Sequence, residues 1–135
     1  MKSEPHKYSI DDLKKDKRTF WDGVRNYQAR NFMRDDMKKG DLAFFYHSSC
    51  DAVGIVGIMQ VVKEAYADHT ADQDMDNPTW VMVDLAFKKK FKRTITLKEL
   101  KAEKKLKNMG VVQRGARLSI MPVSEKEWEY VLSMV

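Results

Sequence analysis

The sequence predicts an α+β or barrel-like fold because long strands are separated by short helices without the alternation of βαβ units. Glycines also interrupt one predicted strand, at Gly54 and Gly57, where a barrel corner requires a bend. The length of 135 residues suits one domain with a single core, so we expect residues 1–135 to form a single unit.

Three helices are predicted from capping pairs, in which a hydroxyl residue and an acidic residue three positions later satisfy each other's backbone N–H groups. These pairs are Ser9–Asp12, Thr96–Glu99 and Ser124–Glu127. The second pair begins a helix over 97–102, and the third begins a helix to about Ser133 that places Trp128 in the core. Apolar residues at helical spacing predict a fourth helix over 27–36.

Four strands are predicted from apolar and β-branched segments at 41–46, 54–62, 80–87 and 118–123. The Asp- and Asn-rich segment 66–78 is predicted to be a polar surface loop. It lacks the glycine and the final glutamate of an EF-hand, so the sequence does not predict calcium binding there.

The composition is that of a folded chain, with 43% hydrophobic and 33% charged residues. The presence of one cysteine suits a reducing compartment. No apolar run approaches the roughly 20 residues needed to cross a bilayer, and we expect a cytoplasmic protein, or a nuclear one in a eukaryote. The single cysteine, Cys50, cannot form an internal disulfide. Together with three scattered histidines it gives no zinc site, and we expect neither a metal nor a cofactor.

The net charge of +5 and the isoelectric point near 9.2 are compatible with a polyanionic partner. Basic residues cluster around Phe91 and again over 101–107. The predicted phosphate and backbone contacts are Arg30, Lys88, Lys89, Lys90, Lys92 and Arg93. The alternative is that these clusters are a solvated hairpin tip and a solvated helix face.

The segment FWDGVRNYQARN, residues 20–31, concentrates aromatic and hydrogen-bonding side chains that are costly to bury unless each finds a partner. It resembles the signature of the EVE domain family. Further segments resemble that family's motifs in the same order, at 2–5, 40–48, 54–57, 78–84 and 117–123. The resemblance implies a PUA-like fold, a small mixed bent β-barrel with short surrounding helices. Family members usually carry residues before the KSEP motif, so we expect a truncated or late first strand.

The resemblance also implies a function, because PUA-like proteins commonly receive a nucleobase beside the barrel and EVE proteins are associated with modified DNA bases. We therefore expect a non-catalytic nucleic-acid-binding module that holds one modified base, of DNA rather than RNA. One alternative is an RNA-binding PUA-like module. Another is an enzyme acting on modified nucleic acid through His47, Asp22 or Glu4, although no metal cluster, Ser-His-Asp order or phosphate loop supports it.

The predicted base pocket combines aromatic and polar side chains from these motifs. Its members are Ser3, Glu4, Trp21, Val24, Arg25, Asn26, Tyr46, His47, Ser48, Trp80, Arg117 and Ser119. Trp21 is the predicted stacking platform, with a packed core position as the alternative. Asn26 suits a base edge through its amide, or else caps the following helix. His47 alternatively serves as a structural hydrogen-bonding group, and Asp22 is predicted to fix local backbone or to pair with an arginine.

Overall fold

The structure, a computed structural model, describes residues 1–115 and 118–135. Within these residues the elements are, in chain order, β1 (Lys2–Ser3), α1 (Ile10–Asp16), β2 (Arg18–Trp21), α2 (Tyr27–Asp35), β3 (Leu42–His47), β4 (Gly54–Ala67), β5 (Val81–Thr96), α3 (Leu97–Ala102) and α4 (Glu125–Met134). Two 3₁₀ turns, Lys104–Leu106 and Gly110–Val112, join α3 to the segment before α4. No helix among the described residues is long and apolar enough to span a bilayer.

The strands form one mixed sheet in the order β1-β3-β4-β5-β2. β1 pairs with β3 in parallel, and every other neighbouring pair is antiparallel. β1 and β2 are the two edges, so the hydrogen bonding of the described strands does not close into a ring. The α+β, PUA-like class is confirmed, with an open sheet in place of a closed barrel.

Gly54 and Gly57 lie where β4 approaches β5 most closely. A Cβ atom added to either would lie 2.2 Å from a carbonyl oxygen of β5, that of Ile95 or Lys89. The register between the two strands shifts between Ile55 and Gly57, and it shifts three more times towards Tyr66. The irregularity expected from the glycines is therefore present, since such shifts bend and twist a sheet.

Two hydrophobic cores lie on opposite faces of the sheet. The consecutive residues Phe44 and Phe45 of β3 belong to different cores, as expected because neighbouring strand residues point to opposite faces. Phe45 joins the core that contains Trp21 and the buried faces of α1 and α2. Phe44 joins the core beneath α3 and α4, where it stacks on Trp128 with ring centroids 3.8 Å apart.

The predicted helices are all present. Ser9, Thr96 and Ser124 each accept a hydrogen bond from the backbone N–H three residues later, and each acidic partner completes a reciprocal capping box. α2 occupies nearly the predicted range, ending at Asp35. Local capping chemistry thus sets where these helices begin, and the burial of one face of each in a core stabilises them.

The predicted strands differ from the structure in three respects. The segment 118–123 contains no strand; Ser119 accepts one backbone hydrogen bond, from Lys2, and Pro122 has no N–H to continue a ladder. β2 was not predicted, because an edge strand of four residues is too short to show a clear alternation, whereas β1 lies where a truncated or late first strand was expected. The basic segment 88–93 is no hairpin tip; it lies inside β5, held there by pairing with β4 and by the burial of Phe91.

Candidate functional site

An open concavity of about 650 Å³ lies between the two edge strands of the sheet. We call it the N-terminal concavity, and its lining residues are Lys2, Ser3, Glu4, Lys7, Tyr8, Thr19, Phe20, Trp21, Asp22, Ser48 and Ser119. One wall is β1 with the turn after it, and the opposite wall is β2 with Asp22. Its volume falls within the range of small-molecule sites, roughly 300–1,000 Å³.

Backbone hydrogen bonds hold the β1 wall in place. The Ser3 hydroxyl donates to the Tyr8 carbonyl at 2.6 Å, and the Ser48 N–H donates to the Ser3 carbonyl at 3.0 Å. The N–H groups of Lys7 and Tyr8 both donate to the Glu4 carbonyl, which closes a tight turn. The Glu4 carboxylate lies 3.1 Å from the imidazole of His6 and keeps 35% of its side chain exposed, so it is accessible from the concavity.

The β2 wall contributes two aromatic rings with different exposure. Trp21 is only 8% exposed and packs edge-on against Phe45 in the core, with ring centroids 5.5 Å apart. Its indole N–H forms no hydrogen bond with the described residues. Every buried side-chain nitrogen or oxygen among those residues does have a partner, so the indole nitrogen of Trp21 is not fully buried and contacts solvent. Phe20 is 46% exposed and meets His69 edge-on at 4.9 Å. Trp21 therefore occupies the packed core position that was the alternative to a stacking platform, and Phe20 offers the accessible ring.

Asp22 lies in the lining with a free carboxylate. It is exposed and forms no hydrogen bond or ion pair with any residue that the structure describes. The prediction that Asp22 fixes local backbone or pairs with an arginine is therefore wrong. The neighbouring Arg25 bonds instead to Asp68, at 3.0 Å.

Asp68 organises the segment that follows the β2 wall. Its carboxylate is fully buried and accepts hydrogen bonds from the Gly23 N–H at 2.8 Å, from Arg25 at 3.0 Å, and from the N–H and hydroxyl of Thr70 at 2.7 and 2.5 Å. Burial opposes ionisation, but the bonds from Thr70, Gly23 and Arg25 outweigh it and lower the pKa of Asp68 to about 2. The ionised carboxylate therefore fixes the chain directly beyond Trp21 and Asp22.

The structure brings five of the predicted pocket residues together around the concavity. These are Ser3, Glu4, Trp21, Ser48 and Ser119. Lys2, Lys7, Tyr8, Thr19, Phe20 and Asp22 join them and were absent from the predicted set. Most of these lie within or beside the KSEP and FWDG motifs, so extending each motif to its neighbours would have found them.

Other predicted pocket residues have structural partners away from the concavity. Val24 is buried in the core. Asn26 accepts the Ala29 N–H at 3.0 Å and caps α2. His47 accepts the Ile10 N–H through Nε2 at 3.1 Å, and desolvation lowers the pKa of its imidazole, which suits a neutral acceptor.

The remaining members of that set lie elsewhere. Tyr46 is buried in the second core, with the Lys2 ammonium 5.8 Å from its ring. Arg25 and Trp80 contact each other beyond the β2 wall. Arg117 lies outside the described residues.

Of the predicted phosphate contacts, Arg30 lies in α2 and forms no ion pair with the described residues, and the five of β5 fall into two groups. Lys90 pairs with Asp11 at 2.7 Å, and Arg93 pairs with Glu99 at 2.8 Å, so these charges are locally neutralised. The other three lysines of β5 are exposed and form no ion pair within the described ranges: Lys88, Lys89 and Lys92. None of the β5 lysines lines the concavity, whose basic lining residues are Lys2 and Lys7.

Comparison with known proteins gives matches over almost the whole chain. The EVE domain family model matches residues 1–134. Human thymocyte nuclear protein 1 is 47% identical over 163 residues, which cover 99% of this chain and 72% of that protein. A crystal structure of a Pseudomonas syringae protein superposes with a TM-score of 0.94 at 44% identity, covering 99% of this chain and 96% of that one. Human THYN1 protein in complex with 5-methylcytosine-containing DNA superposes with a TM-score of 0.91 at 47% identity, covering 99% and 94%.

Proposed function

The chain belongs to the EVE domain family, and on this basis we propose that it binds DNA without catalysis and holds one modified base in the N-terminal concavity. The observation that carries the proposal is its close similarity to human THYN1 protein, which has been solved with 5-methylcytosine-containing DNA. The concavity supports it with an opening of about 650 Å³ between the edge strands.

A base reaches the concavity only after leaving the duplex stack or from an unpaired strand. Flipping costs a few kcal/mol and is cheapest at a mismatched or damaged position. Stacking of the base on the exposed ring of Phe20 contributes roughly 1–3 kcal/mol of favourable binding free energy. Because these two contributions nearly cancel, contacts between basic residues and phosphates supply most of the net affinity, and binding weakens steeply with salt.

The polar lining suits the edge of a cytosine. Cytosine presents an exocyclic amine that donates hydrogen bonds, and carboxylates are its usual acceptors. Asp22 and Glu4 place carboxylates in the lining, and Asp22 has no competing partner among the described residues. The Trp21 indole N–H and the Lys7 ammonium are donors for the ring nitrogen and carbonyl of the base.

The preference for a methylated base is expected to be modest if it depends on apolar contact alone. One buried methyl group is worth about 0.8 kcal/mol, a factor of roughly four in affinity. A larger preference would require a displaced water, easier flipping or a polar group left unpaired by the unmodified base.

Replacing Asp22 with asparagine should weaken binding of 5-methylcytosine DNA about tenfold, because a charge-assisted hydrogen bond to the exocyclic amine is lost. Folding stability should not change, since Asp22 is exposed and makes no bond with the described residues. Fluorescence anisotropy with a labelled duplex that carries one 5-methylcytosine opposite a mismatch measures the effect. Asp51→Asn is the matched control, because Asp51 is exposed, lies outside the concavity, and loses the same charge. Equal affinities for the two variants would exclude Asp22 from base recognition.

The proposed function itself is tested with matched oligonucleotides. The same sequence is prepared as DNA with cytosine, 5-methylcytosine or 5-hydroxymethylcytosine, and as RNA, and calorimetry compares the affinities. We expect tighter binding of modified DNA and no strand cleavage or base release on incubation. Equal binding of modified and unmodified DNA, preference for the RNA, or turnover of any substrate would each reject the proposal.

A further inference from the structure

A second group of aromatic and cationic side chains lies on the surface outside the N-terminal concavity. We call it the arginine–aromatic cluster, and its members are Arg25, Tyr27, Arg30 and Trp80. The rings of Tyr27 and Trp80 lie 4.9 Å apart with an interplanar angle of 34°. The Arg30 guanidinium is 5.0 Å from the Tyr27 ring centroid, and that of Arg25 is 5.7 Å from the Trp80 ring. Tyr27 is nonetheless 60% exposed.

The cluster is held in place by bonds to the surrounding backbone. The backbone N–H of Trp80 donates to the side-chain carbonyl of Gln73 at 2.7 Å, and the Gln73 amide donates back to the backbone carbonyl of Trp80 at 2.8 Å. Arg30 donates to the Thr79 carbonyl at 2.8 Å. These bonds fix the backbone of Trp80 and the guanidinium of Arg30, so the ordering cost at these two positions is small when a ligand binds.

The charges of the two arginines differ in availability. Arg25 is paired with the buried Asp68 at 3.0 Å. Arg30 has no carboxylate within ion-pair distance in the described part of the molecule, so its charge is available to an anion. Acidic residues of the adjacent loop, among them Asp72 and Asp76, are exposed and disfavour phosphates on that side of Trp80.

The cluster is close enough to the concavity to contact the same DNA strand whose base enters the concavity. Trp21 pairs with Val83 in the β2–β5 ladder, and Trp80 precedes Val83 by three residues. At roughly 3.3 Å per strand residue this places the start of the cluster about 10 Å from the Trp21 wall. About three nucleotide steps of 3.4 Å span the same length.

We propose that the arginine–aromatic cluster is a second nucleic-acid site, which stacks a base about three nucleotides along the DNA from the one in the concavity, while Arg30 contacts a nearby phosphate. The inference rests on the proposed function, because the cluster would bind another part of the same DNA strand whose base enters the concavity. Aromatic rings and guanidinium planes both accept stacked bases regardless of sequence. The cluster therefore adds affinity for a strand and carries no selectivity for the modification.

The test compares a nucleoside with an oligonucleotide. Wild-type protein and Tyr27→Ala are titrated with 5-methyl-2′-deoxycytidine and with a nine-nucleotide DNA strand carrying one central 5-methylcytosine. Tyr27→Ala should weaken oligonucleotide binding by at least about fivefold and leave nucleoside binding unchanged. Tyr27→Phe, which keeps the ring, should bind both ligands as the wild type does. Circular dichroism and the melting temperature establish that both variants are folded.

Salt dependence provides the second measurement. Arg30→Gln should reduce the slope of log K against log salt concentration by about one, whereas Arg34→Gln, one turn further along α2 and already paired with Asp35, should not. Unchanged oligonucleotide affinity in folded Tyr27→Ala would overturn the second site while leaving the concavity intact. A wild type that binds neither ligand would overturn the proposed function and the second site together.

Discussion

Asp68→Ala is expected to lower the free energy of unfolding by about 2–4 kcal/mol, because it removes a buried carboxylate and leaves the backbone N–H groups of Gly23 and Thr70 without their acceptor. The carboxylate accepts four hydrogen bonds, two of them from Gly23 and Arg25. Without it the chain beyond Trp21 loses its anchor. Binding of 5-methylcytosine DNA should therefore fall even at temperatures where the variant is still folded.

Urea unfolding followed by circular dichroism measures the stability of Asp68→Ala. Asp72→Ala is the matched control, because it removes an exposed carboxylate from the same loop and should change stability by no more than about 0.5 kcal/mol. If the two variants unfold at the same urea concentration, Asp68 does not anchor the loop.

The same carboxylate makes stability depend on pH in a defined range. The pKa of Asp68 in the folded protein is about 2, below its usual value of 3.8, so the folded state favours the ionised form. This contribution, on the order of 2 kcal/mol, is fully present above about pH 4 and is lost as the pH falls towards 2. Asp68→Asn should lack it, and the difference in stability between wild type and Asp68→Asn should shrink over that range. A constant difference from pH 6 to pH 2 would contradict the assignment.

The sequence contained enough information for the locally determined parts of this fold. Capping pairs such as Thr96 and Glu99 act within one turn of chain, so their pattern can be recognised without knowing the tertiary structure. The two walls of the concavity could also be predicted in part from the sequence, because each wall comes from one contiguous motif near Ser3 or Trp21.

Long-range pairing accounts for what the sequence did not predict. Asp68 stands in a loop rich in similar residues, and only the folded chain shows that it meets Arg25 from 43 residues away. Asp22 and Arg25 are close in sequence and look like a natural ion pair, but the partner of Arg25 is Asp68. The short edge strands β1 and β2 depend on β3 and β5 for their hydrogen bonds, so their own residues carry little β signal.

Trp21 should affect folding and binding through different parts of its side chain. Trp21→Ala removes a ring that is 8% exposed and packs on Phe45, and such truncations cost about 3–5 kcal/mol of stability. A binding defect in Trp21→Ala therefore cannot separate the base contact from partial unfolding. Trp21→Phe retains most of the packing and removes only the indole N–H, so it should fold nearly as well as the wild type.

The expected result for Trp21→Phe is a two- to tenfold loss of affinity for 5-methylcytosine DNA, about the worth of one neutral hydrogen bond. Calorimetry with the mismatched duplex measures it. Trp128→Phe is the matched control, because Trp128 stacks on Phe44 in the other core and does not line the concavity. A Trp21→Phe protein that binds as tightly as Trp128→Phe would remove the indole N–H from the contact with the base. Recognition of the base edge would then depend on the carboxylates of Asp22 and Glu4 and on the Lys7 ammonium alone.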